Sequence, residues 1–441
     1  MIGNFLFKVA KIEPTFTVAD RKVTAIQHIQ EKVGDSQVLV LVSGGVDSAV
    51  CAALLRKALL PEQIIAVHID HGFMRQDESK KVIAALEAIG LNVRLVDAHE
   101  RFAQATTTIN GRETLPLSQV TAPEEKRKII GDTFVRVTEQ ELAKLQLDLD
   151  RVFLVQGSLR PDLIESASSM VSKKADTIKT HHNDTQLIRE LRERGRVIEP
   201  LSEYHKDEVR ELGTQLGLPH ELVWRQLFPG PGLAIRVLCA EEPFVTAEHD
   251  EVEDALRQFE DQGTKATLLP VRTVGVQGDG RTYSYLAALS GEDNWEKLFT
   301  LARKIPQHIH QVNRVVYVFG EPVGGVPQRI TNTHLSLEVV DQLRRADEVV
   351  NQVLLKYDLI KSLSQVPVVL FPVDFGQEGK RSIAIRTFIT NDFMTGVPAV
   401  PGKDIPIEAL NEMVSRILQD SSIARVVYDL TSKPPGTTEW E

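Results

Sequence analysis

A short turn between a predicted strand and a predicted helix is the segment of this sequence best suited to chemistry. It reads Ser43-Gly44-Gly45-Val46-Asp47-Ser48. Two glycines let the backbone turn sharply and present its N–H groups without obstruction by a Cβ atom. The helix that follows adds its partial positive charge and its unpaired donors, so the segment predicts a phosphate site. A structural turn with a capping serine is the alternative interpretation.

The side chains of this turn refine the prediction. Ser43 and Ser48 can donate hydroxyl groups to a phosphate. Asp47 suits a site in which Mg²⁺ lies between the protein and the anion, or in which the carboxylate orients a donor. The GxxxxGK[ST] pattern is absent from the turn, so no Walker lysine reaches a γ-phosphate. The turn is not GxGxxG either, which disfavours a dinucleotide-binding fold.

Alternating strand and helix signals surround the turn. Apolar runs predict strands at residues 38–42, 64–69, 93–96, 152–155 and 197–198, and helical segments at 47–60 and 78–89 separate the first three. Such alternation is typical of an α/β fold with a doubly wound parallel sheet. Ligands bind at the carboxyl ends of the strands in such sheets, and both the turn and Asp70 follow a predicted strand.

Composition and charge exclude several classes of function. The chain has 441 residues and a formal net charge of −10, which argues against a general binder of nucleic acid or membrane surfaces. No apolar run reaches the roughly 20 residues of a membrane helix. Cys51 and Cys239 form no CxxC pair, which disfavours disulfide scaffolds and structural zinc sites. The adjacent His181 and His182 do not face one ligand, so we predict no protein-held metal site, and we expect a cytosolic protein.

The second half of the chain contains an internal sequence repeat. Arg314-Val315-Val316-Tyr317 recurs as Arg425-Val426-Val427-Tyr428, an offset of 425 − 314 = 111 positions. A strand pair and a helical stretch precede the motif in both copies. We therefore predict two copies of one α+β module. The predicted domains are residues 1–20 (remnant or linker), 21–239 (α/β domain), 240–345 and 346–441 (the two modules).

The turn resembles the pyrophosphatase loop of the N-type ATP pyrophosphatases, which split ATP between its α- and β-phosphates. Further segments resemble the GMP synthetase family in its eukaryotic form, from Phe5 to the end of the chain. They are residues 67–75, 123–131, 156–162, 178–183, 228–233 and the terminal Ser432-Lys433-Pro434-Pro435-Gly436-Thr437-Thr438-Glu439-Trp440-Glu441. Two positions depart from the family: His71 stands where relatives often have asparagine, and Gln226-Leu227 stands where His-Pro is usual.

The resemblance implies the amination of xanthosine monophosphate (XMP) to GMP, with ATP and Mg²⁺ as cofactors. The xanthine O2 would attack the α-phosphorus of ATP and release pyrophosphate, and ammonia would then displace AMP at C2. No covalent protein nucleophile is required, because in-line positioning and charge neutralisation would carry both steps.

The resemblance also assigns site residues. The implied catalytic residues are Asp47, Lys179 and His181. The implied ATP-binding residues are Ser43, Gly44, Gly45, Val46, Asp47, Ser48 and Asp70, with His71 expected near the adenosine. The implied XMP-binding residues are Arg160, Asp279, Arg281, Gln365, Lys433, Thr437, Thr438 and Glu439. A mobile lid over the nucleotide is implied for the basic residues Lys126, Arg127, Lys128, Lys173, Lys174 and Lys179, although charge runs are usually solvated faces.

Relatives in this family obtain ammonia from a glutaminase domain with a Cys-His-Glu triad, and this chain begins where such a domain would end. Cys51 and Cys239 both lack the context of a nucleophile. We therefore expect ammonia from outside or from a glutaminase domain or subunit in trans. A fragment of a longer chain is favoured over a natural short form or one subunit of two. Bacterial relatives dimerise through one copy of the module, so two copies in one chain predict a monomer.

Two other classes of function stay open at this point. Another ATP pyrophosphatase, such as an NAD⁺ synthetase or a tRNA-thiolating enzyme, is opposed by the terminal decapeptide, by the absence of CxxC and by the net charge. A non-catalytic nucleotide-binding or interaction module is opposed by the intact turn and the basic residues, because a degenerate module need not retain both.

Overall fold

The computed structural model describes residues 4–12, 18–160, 186–226, 228–277, 280–390 and 395–441. The helices are α1 (Val18–Val33), α2 (Val46–Ala58), α3 (Glu78–Ala88), α4 (His99–Ala103), α5 (Pro123–Lys144), α6 (Gln186–Glu193), α7 (Lys206–Gln215), α8 (His220–Val223), α9 (His249–Arg257), α10 (Trp295–His308), α11 (Leu337–Lys356) and α12 (Ile407–Ile417). The strands are β1 (Gln37–Leu41), β2 (Ile64–Asp70), β3 (Val93–Asp97), β4 (Thr108–Ile109), β5 (Arg112–Glu113), β6 (Val152–Val155), β7 (Val197–Ile198), β8 (Thr264–Gln277), β9 (Gly280–Gly291), β10 (Val312–Val318), β11 (Val368–Phe371), β12 (Arg381–Ile385) and β13 (Ile423–Asp429). None of the described helices is long and apolar enough to cross a membrane.

The chain divides into two units. The first unit comprises Met1–Asp70, Asp77–Ala98 and Phe134–Arg225, and the second comprises His71–Gln76, His99–Thr133 and Gln226–Glu441. The second unit thus takes in three stretches that lie before the predicted boundary at residue 239: residues 71–76, 99–133 and 226–239. The four predicted domain ranges stay predictions.

A five-stranded parallel sheet organises the first unit, in the order β3-β2-β1-β6-β7. β1 is central, with Val38 opposite Ile64 of β2 on one side and Phe153 of β6 on the other. A strand buried in this way needs apolar side chains at successive positions, which is why the sequence signal is an unbroken run. α2 supplies buried small and apolar side chains to the same core. The predicted α/β fold with a parallel sheet is confirmed.

A six-stranded mixed sheet organises the second unit, in the order β11-β12-β13-β10-β9-β8. Its halves follow one pattern: an antiparallel pair (β8–β9, β11–β12) and then a parallel pairing to a third strand (β10, β13). The two halves meet where β10 and β13 run antiparallel, with Tyr317 opposite Tyr428. These tyrosines are the equivalent residues of the two echoed motifs, so the repeat lies at a local two-fold axis of the sheet.

The two halves differ in one connection. Residues 292–294 join β9 to α10, whereas residues 386–406 join β12 to α12. The longer connection pairs through its backbone with two other segments of the second half: Phe388 with Gln365, and Gly396 with Lys433. The second half therefore has a structural feature that the first half lacks.

A buried charge cluster lies beside the central strands. The Asp429 carboxylate accepts hydrogen bonds from Arg314 (2.7 Å), Arg386 (2.8 Å) and the Trp440 indole N–H (2.8 Å). All four side chains are fully buried. Burial alone would raise the pKa of Asp429, but Arg386 and Arg314 hold this pKa below its ordinary value. The cluster thus joins β10, β13, the long connection and the end of the chain.

Replacing Asp429 by alanine leaves two buried guanidinium groups without their shared counter-charge. We expect Asp429→Ala to lower the free energy of unfolding by about 3–5 kcal/mol, as for other broken buried ion pairs. Urea unfolding measures this loss. The control is Asp254→Ala, which removes the exposed pair with Arg257 and is expected to cost less than about 1 kcal/mol. Equal unfolding curves for the two variants would contradict the importance of the cluster.

Candidate functional site

The predicted phosphate-binding turn, residues 43–48 (the phosphate turn), forms at the carboxyl end of β1, in the first unit. Gly44 has a φ of +84°, a conformation that side chains with a Cβ rarely adopt. Gly45 caps α2, which begins at Val46. The Ser43 and Ser48 hydroxyl oxygens lie 3.2 Å apart, and Ser48 donates to the carbonyl of Gly45 at 3.0 Å. The sequence-predicted residues 43–48 are therefore brought into one compact loop at the start of a helix.

Other strand ends in the parallel sheet lie beside this turn. Asp70 ends β2 and is paired in register with Asp97 of β3. Gly157 follows β6, and a Cβ placed there would lie 3.4 Å from the Cβ of Asp47. The carboxyl ends of four neighbouring strands, β3, β2, β1 and β6, thus form the edge at which ligands bind in parallel sheets.

Lys206 is a residue at the turn that the sequence analysis missed. It is the first residue of α7, and its ammonium group lies 2.7 and 2.5 Å from the two carboxylate oxygens of Asp47. Arg210 lies one turn further along α7 and interacts electrostatically with the same carboxylate. Burial lowers the pKa of Arg210, and the negative charge of Asp47 opposes this shift. Two cations from α7 therefore act on the carboxylate of the turn.

The structure describes only some of the other site residues that the sequence predicts in the first unit. Arg160 is exposed and pairs with Glu203 at 3.5 Å. Lys179 and His181 lie outside the described residues, as do Lys173 and Lys174. In the second unit, Asp279 and Leu227 also lie outside them.

The end of the chain is ordered along β8, in the second unit. The Val274 N–H donates to the carbonyl of Trp440 (2.9 Å), and the Val276 N–H donates to that of Pro435 (2.7 Å). Gly275 between them has no room for a side chain, because a Cβ there would lie 2.9 Å from the Pro435 oxygen. The segment that carries four predicted XMP-binding residues is therefore held in a fixed place rather than free in solvent.

Each predicted XMP-binding residue of the second unit that the structure describes has a defined environment. The Glu439 carboxylate accepts two hydrogen bonds from the buried Arg236, both at 3.1 Å. The Thr437 hydroxyl donates to the carbonyl of Glu439 at 2.5 Å. Arg281 pairs with Glu124 at 2.9 Å, and Thr438 is partly exposed. Gln365 and Lys433 are joined through their backbones to the long connection, residues 386–406.

The expectation that Lys126 belongs to a lid over the nucleotide is wrong. Its side chain is fully buried in the second unit, donates to the carbonyl of Val237 at 2.9 Å and forms an ion pair with Glu441. Arg127 donates to the backbone oxygen of Glu441, and Lys128 pairs with Asp132 on the surface of α5 at 3.0 Å. The first two basic residues of the run therefore fix the end of the chain.

The two positions that depart from the family have structural roles in the second unit. His71 is buried, and its Nδ1 accepts from the Phe73 N–H at 3.1 Å. Gly232 packs against this segment so closely that a Cβ would lie 2.3 Å from the Phe73 oxygen. The buried Gln226 side chain donates to the carbonyls of Ile360 (3.3 Å) and Leu363 (3.1 Å).

The parallel sheet with its phosphate turn defines a nucleotide-binding domain of the ATP pyrophosphatase class. Comparison with family models agrees with this class: the model described as NAD synthase matches residues 18–125. A second model, GMP synthase C terminal domain, matches residues 352–440.

Curated relatives identify the family. A glutamine-hydrolyzing GMP synthase from Dictyostelium discoideum is 52% identical over 485 residues, which cover 100% of this chain and 68% of that protein. A probable GMP synthase from Caenorhabditis elegans is 44% identical over 509 residues, with the same coverage of both chains. The chain belongs to the GMP synthase family.

Solved structures give a remote likeness. An NMN synthetase from Francisella tularensis has a TM-score of 0.35 at 14% identity, covering 54% of this chain and 82% of that one. An NH3-dependent NAD synthetase from Campylobacter jejuni has a TM-score of 0.33 at 15% identity, covering 47% and 77%.

Replacing Lys126 by methionine leaves the buried Glu441 carboxylate without its cation. We expect Lys126→Met to lower the free energy of unfolding by about 3–5 kcal/mol, and Lys126→Met/Glu441→Gln to recover part of this loss. Urea unfolding of the three proteins is the measurement. A variant with unchanged stability but a raised KM for ATP would support the lid instead.

Proposed function

We propose that this chain converts XMP to GMP with ATP and ammonia, releasing AMP and pyrophosphate. The observation that carries the proposal is the sequence identity to GMP synthases over the whole chain. The phosphate turn at the carboxyl end of β1 supports it further. The NAD synthase model matches residues 18–125 alone, so it supports the ATP-using domain and not an NAD synthetase activity.

The proposed reaction has two steps. The xanthine O2 attacks the α-phosphorus of ATP and forms a new P–O bond while the bond to pyrophosphate breaks. Ammonia then attacks C2, the bond from C2 to the adenylated oxygen breaks, AMP leaves with that oxygen, and the new amino group releases a proton to solvent. The N–H groups of the turn and the start of α2 hold the phosphates and stabilise the charge that develops on pyrophosphate.

Neither cysteine is suited to covalent catalysis. Cys51 is fully buried, and burial raises the pKa of its thiol well above the ordinary value. Burial likewise raises the pKa of Cys239 to about 11. Both thiols stay protonated at neutral pH, so neither is suited to attack glutamine, and we propose that ammonia comes from outside or from a glutaminase domain or subunit. Both cysteines are also free, which fits a reducing compartment, and we place the reaction in the cytosol.

Asp47 is the residue that would hold Mg²⁺. Mg²⁺ is usually bound by one or two carboxylates together with substrate phosphates. One carboxylate beside two serine hydroxyls, within a phosphate turn, fits that donor set. Bound there, Mg²⁺ would neutralise phosphate charge. Asp47, with Lys179 and His181, is accordingly proposed as catalytic, and residues 43–48 and Asp70 as ATP-binding.

The XMP-binding residues are proposed from the family resemblance and from the ordered end of the chain. Lys433, Thr437 and Thr438 would bind the phosphate of XMP, because a cation and hydroxyl donors suit a dianion. Gln365 and Glu439 would bind its base or ribose, and the hydrogen bond from Arg236 to the Glu439 carboxylate supports a fixed position for that side chain. Arg160, Asp279 and Arg281 complete the proposed set.

Two partner relationships are also proposed. A glutaminase domain or subunit would supply ammonia, since the curated relatives are described as glutamine-hydrolyzing and are longer than this chain. The exposed apolar side chains of Phe5, Phe7, Val9 and Ile12 offer a surface for it. A monomer is proposed because β10 and β13 of the two halves pair within one chain.

The proposal is tested by incubating the protein with XMP, ATP and Mg²⁺, with ammonium in one tube and glutamine in the other. We expect GMP and pyrophosphate with ammonium, and neither with glutamine. The change of xanthine to guanine absorbance and a pyrophosphate assay follow the reaction. No product in either tube, from folded protein that binds ATP, would overturn the proposal in favour of a nucleotide-binding module.

Lys433→Met tests the proposed phosphate contact. Losing a charge-assisted hydrogen bond, worth about 1.5–3 kcal/mol, should raise the KM for XMP roughly 10-fold or more while leaving the KM for ATP unchanged. Steady-state kinetics with ammonium measures both constants. The control is Lys403→Met, an exposed lysine of the same unit. Equal KM values for XMP in both variants would exclude the assignment of Lys433.

A further inference from the structure

The ion pair between Lys206 and Asp47 joins two residues that are each unfavourably placed alone. A carboxylate in an anion-binding turn repels the anion that the turn is shaped to hold. A lysine at the first position of a helix opposes the partial positive charge of that helix end. The pair relieves both conflicts, with two oxygen–nitrogen distances of 2.7 and 2.5 Å.

The position of Lys206 is fixed by close packing of its helix. Gly213 lies on α7, and a Cβ there would approach Val50 of α2 to 3.0 Å and Val223 of α8 to 3.1 Å. α7 therefore lies directly against the helix that follows the phosphate turn. The side chains of the pair stay partly exposed, at 36% for Lys206 and 28% for Asp47, so ligands can reach them.

The phosphate turn itself contains no lysine, in contrast to a Walker loop, whose lysine reaches the β- and γ-phosphates. Lys206 brings an ammonium group to the turn from 159 positions away in the sequence. A partly exposed ion pair contributes little to stability, so a purely structural role explains the placement poorly.

We propose that Lys206 is a catalytic residue that contacts the β- and γ-phosphates of ATP. Asp47 holds its ammonium group in the turn while the site is free. When ATP binds, the ammonium group moves to the phosphate oxygens and the Asp47 carboxylate becomes available to Mg²⁺. The ammonium group then stabilises the charge that grows on pyrophosphate as its bond to the α-phosphorus breaks. No proton transfer or covalent step is involved, and the inference rests on the proposed function.

The first measurement is the exchange of labelled pyrophosphate into ATP in the presence of XMP and the absence of ammonia, which isolates the first chemical step. We expect Lys206→Met to lower the exchange rate on the order of 100-fold, as for the loss of one charge-stabilising donor, and Lys206→Arg to retain most of it. The control is Lys80→Met, which removes an exposed pair with Asp77 in the same unit. Its exchange rate should equal that of the parent protein.

The second measurement is the binding of inorganic pyrophosphate without divalent metal, followed by calorimetry. We expect Lys206→Met to bind at least about 10-fold more weakly, as for the loss of one charge-assisted hydrogen bond. Asp47→Asn/Lys206→Met should likewise bind about 10-fold more weakly than Asp47→Asn alone. Equal affinities in that last comparison would show that Lys206 only neutralises Asp47, and would overturn the proposal.

The two measurements separate failure of this inference from failure of the proposed function. A parent protein without XMP-dependent exchange would contradict the proposed function, whereas the pyrophosphate affinities would still test Lys206. Normal exchange by Lys206→Met would overturn the inference and leave the proposed function intact.

Discussion

The carboxylate of Asp429 is the group on which the second unit depends. It is fully buried at the end of β13 and accepts hydrogen bonds from Arg314, Arg386 and Trp440. Arg314 is fully buried, and this burial lowers the pKa of its guanidinium group to about 10. Two buried cations require an anion between them, and the shared carboxylate ties four separate segments to one point.

The fixed end of the chain follows from this constraint. Trp440 is anchored in the cluster, and the residues before it lie along β8. Beyond it, the ion pair between Glu441 and Lys126 holds the last residue. Residues that would otherwise form a mobile polar tail are thereby given defined positions, as the proposed XMP-binding role of this segment requires. The first unit meets the corresponding need with a glycine turn braced by a strand and two helices.

Local features of the structure were predictable from the sequence. The parallel sheet was predictable because its buried strands give continuous apolar runs. The phosphate turn was predictable because two glycines between a buried strand and a helix are typical of a loop that presents backbone N–H groups to an anion. The repeat was visible because its motif lies on β10 and β13, the pair at the two-fold axis, where nearly all side chains are buried.

Features that depend on distant partners were not predictable. Lys206 belongs to a mixed-charge segment that looks like an ordinary helix start, and its partner Asp47 is far away in sequence. Lys126 was misassigned for the same reason: a basic run does not reveal which of its members is buried, and Glu441 lies at the other end of the chain. In the sequence, Gln226 was only a departure from the family pattern. Its structural role depends on distant residues, because its side chain donates hydrogen bonds to the carbonyls of Ile360 and Leu363.

In the mechanism that we propose, the xanthine oxygen becomes bonded to the α-phosphorus of ATP before ammonia enters. XMP labelled with ¹⁸O at C2 tests it most directly, with ATP, Mg²⁺ and ammonium, and with mass spectrometry of the products. The mechanism predicts that one ¹⁸O atom appears in the phosphate group of AMP for each GMP formed. Label found in pyrophosphate or water, with unlabelled AMP, would contradict it.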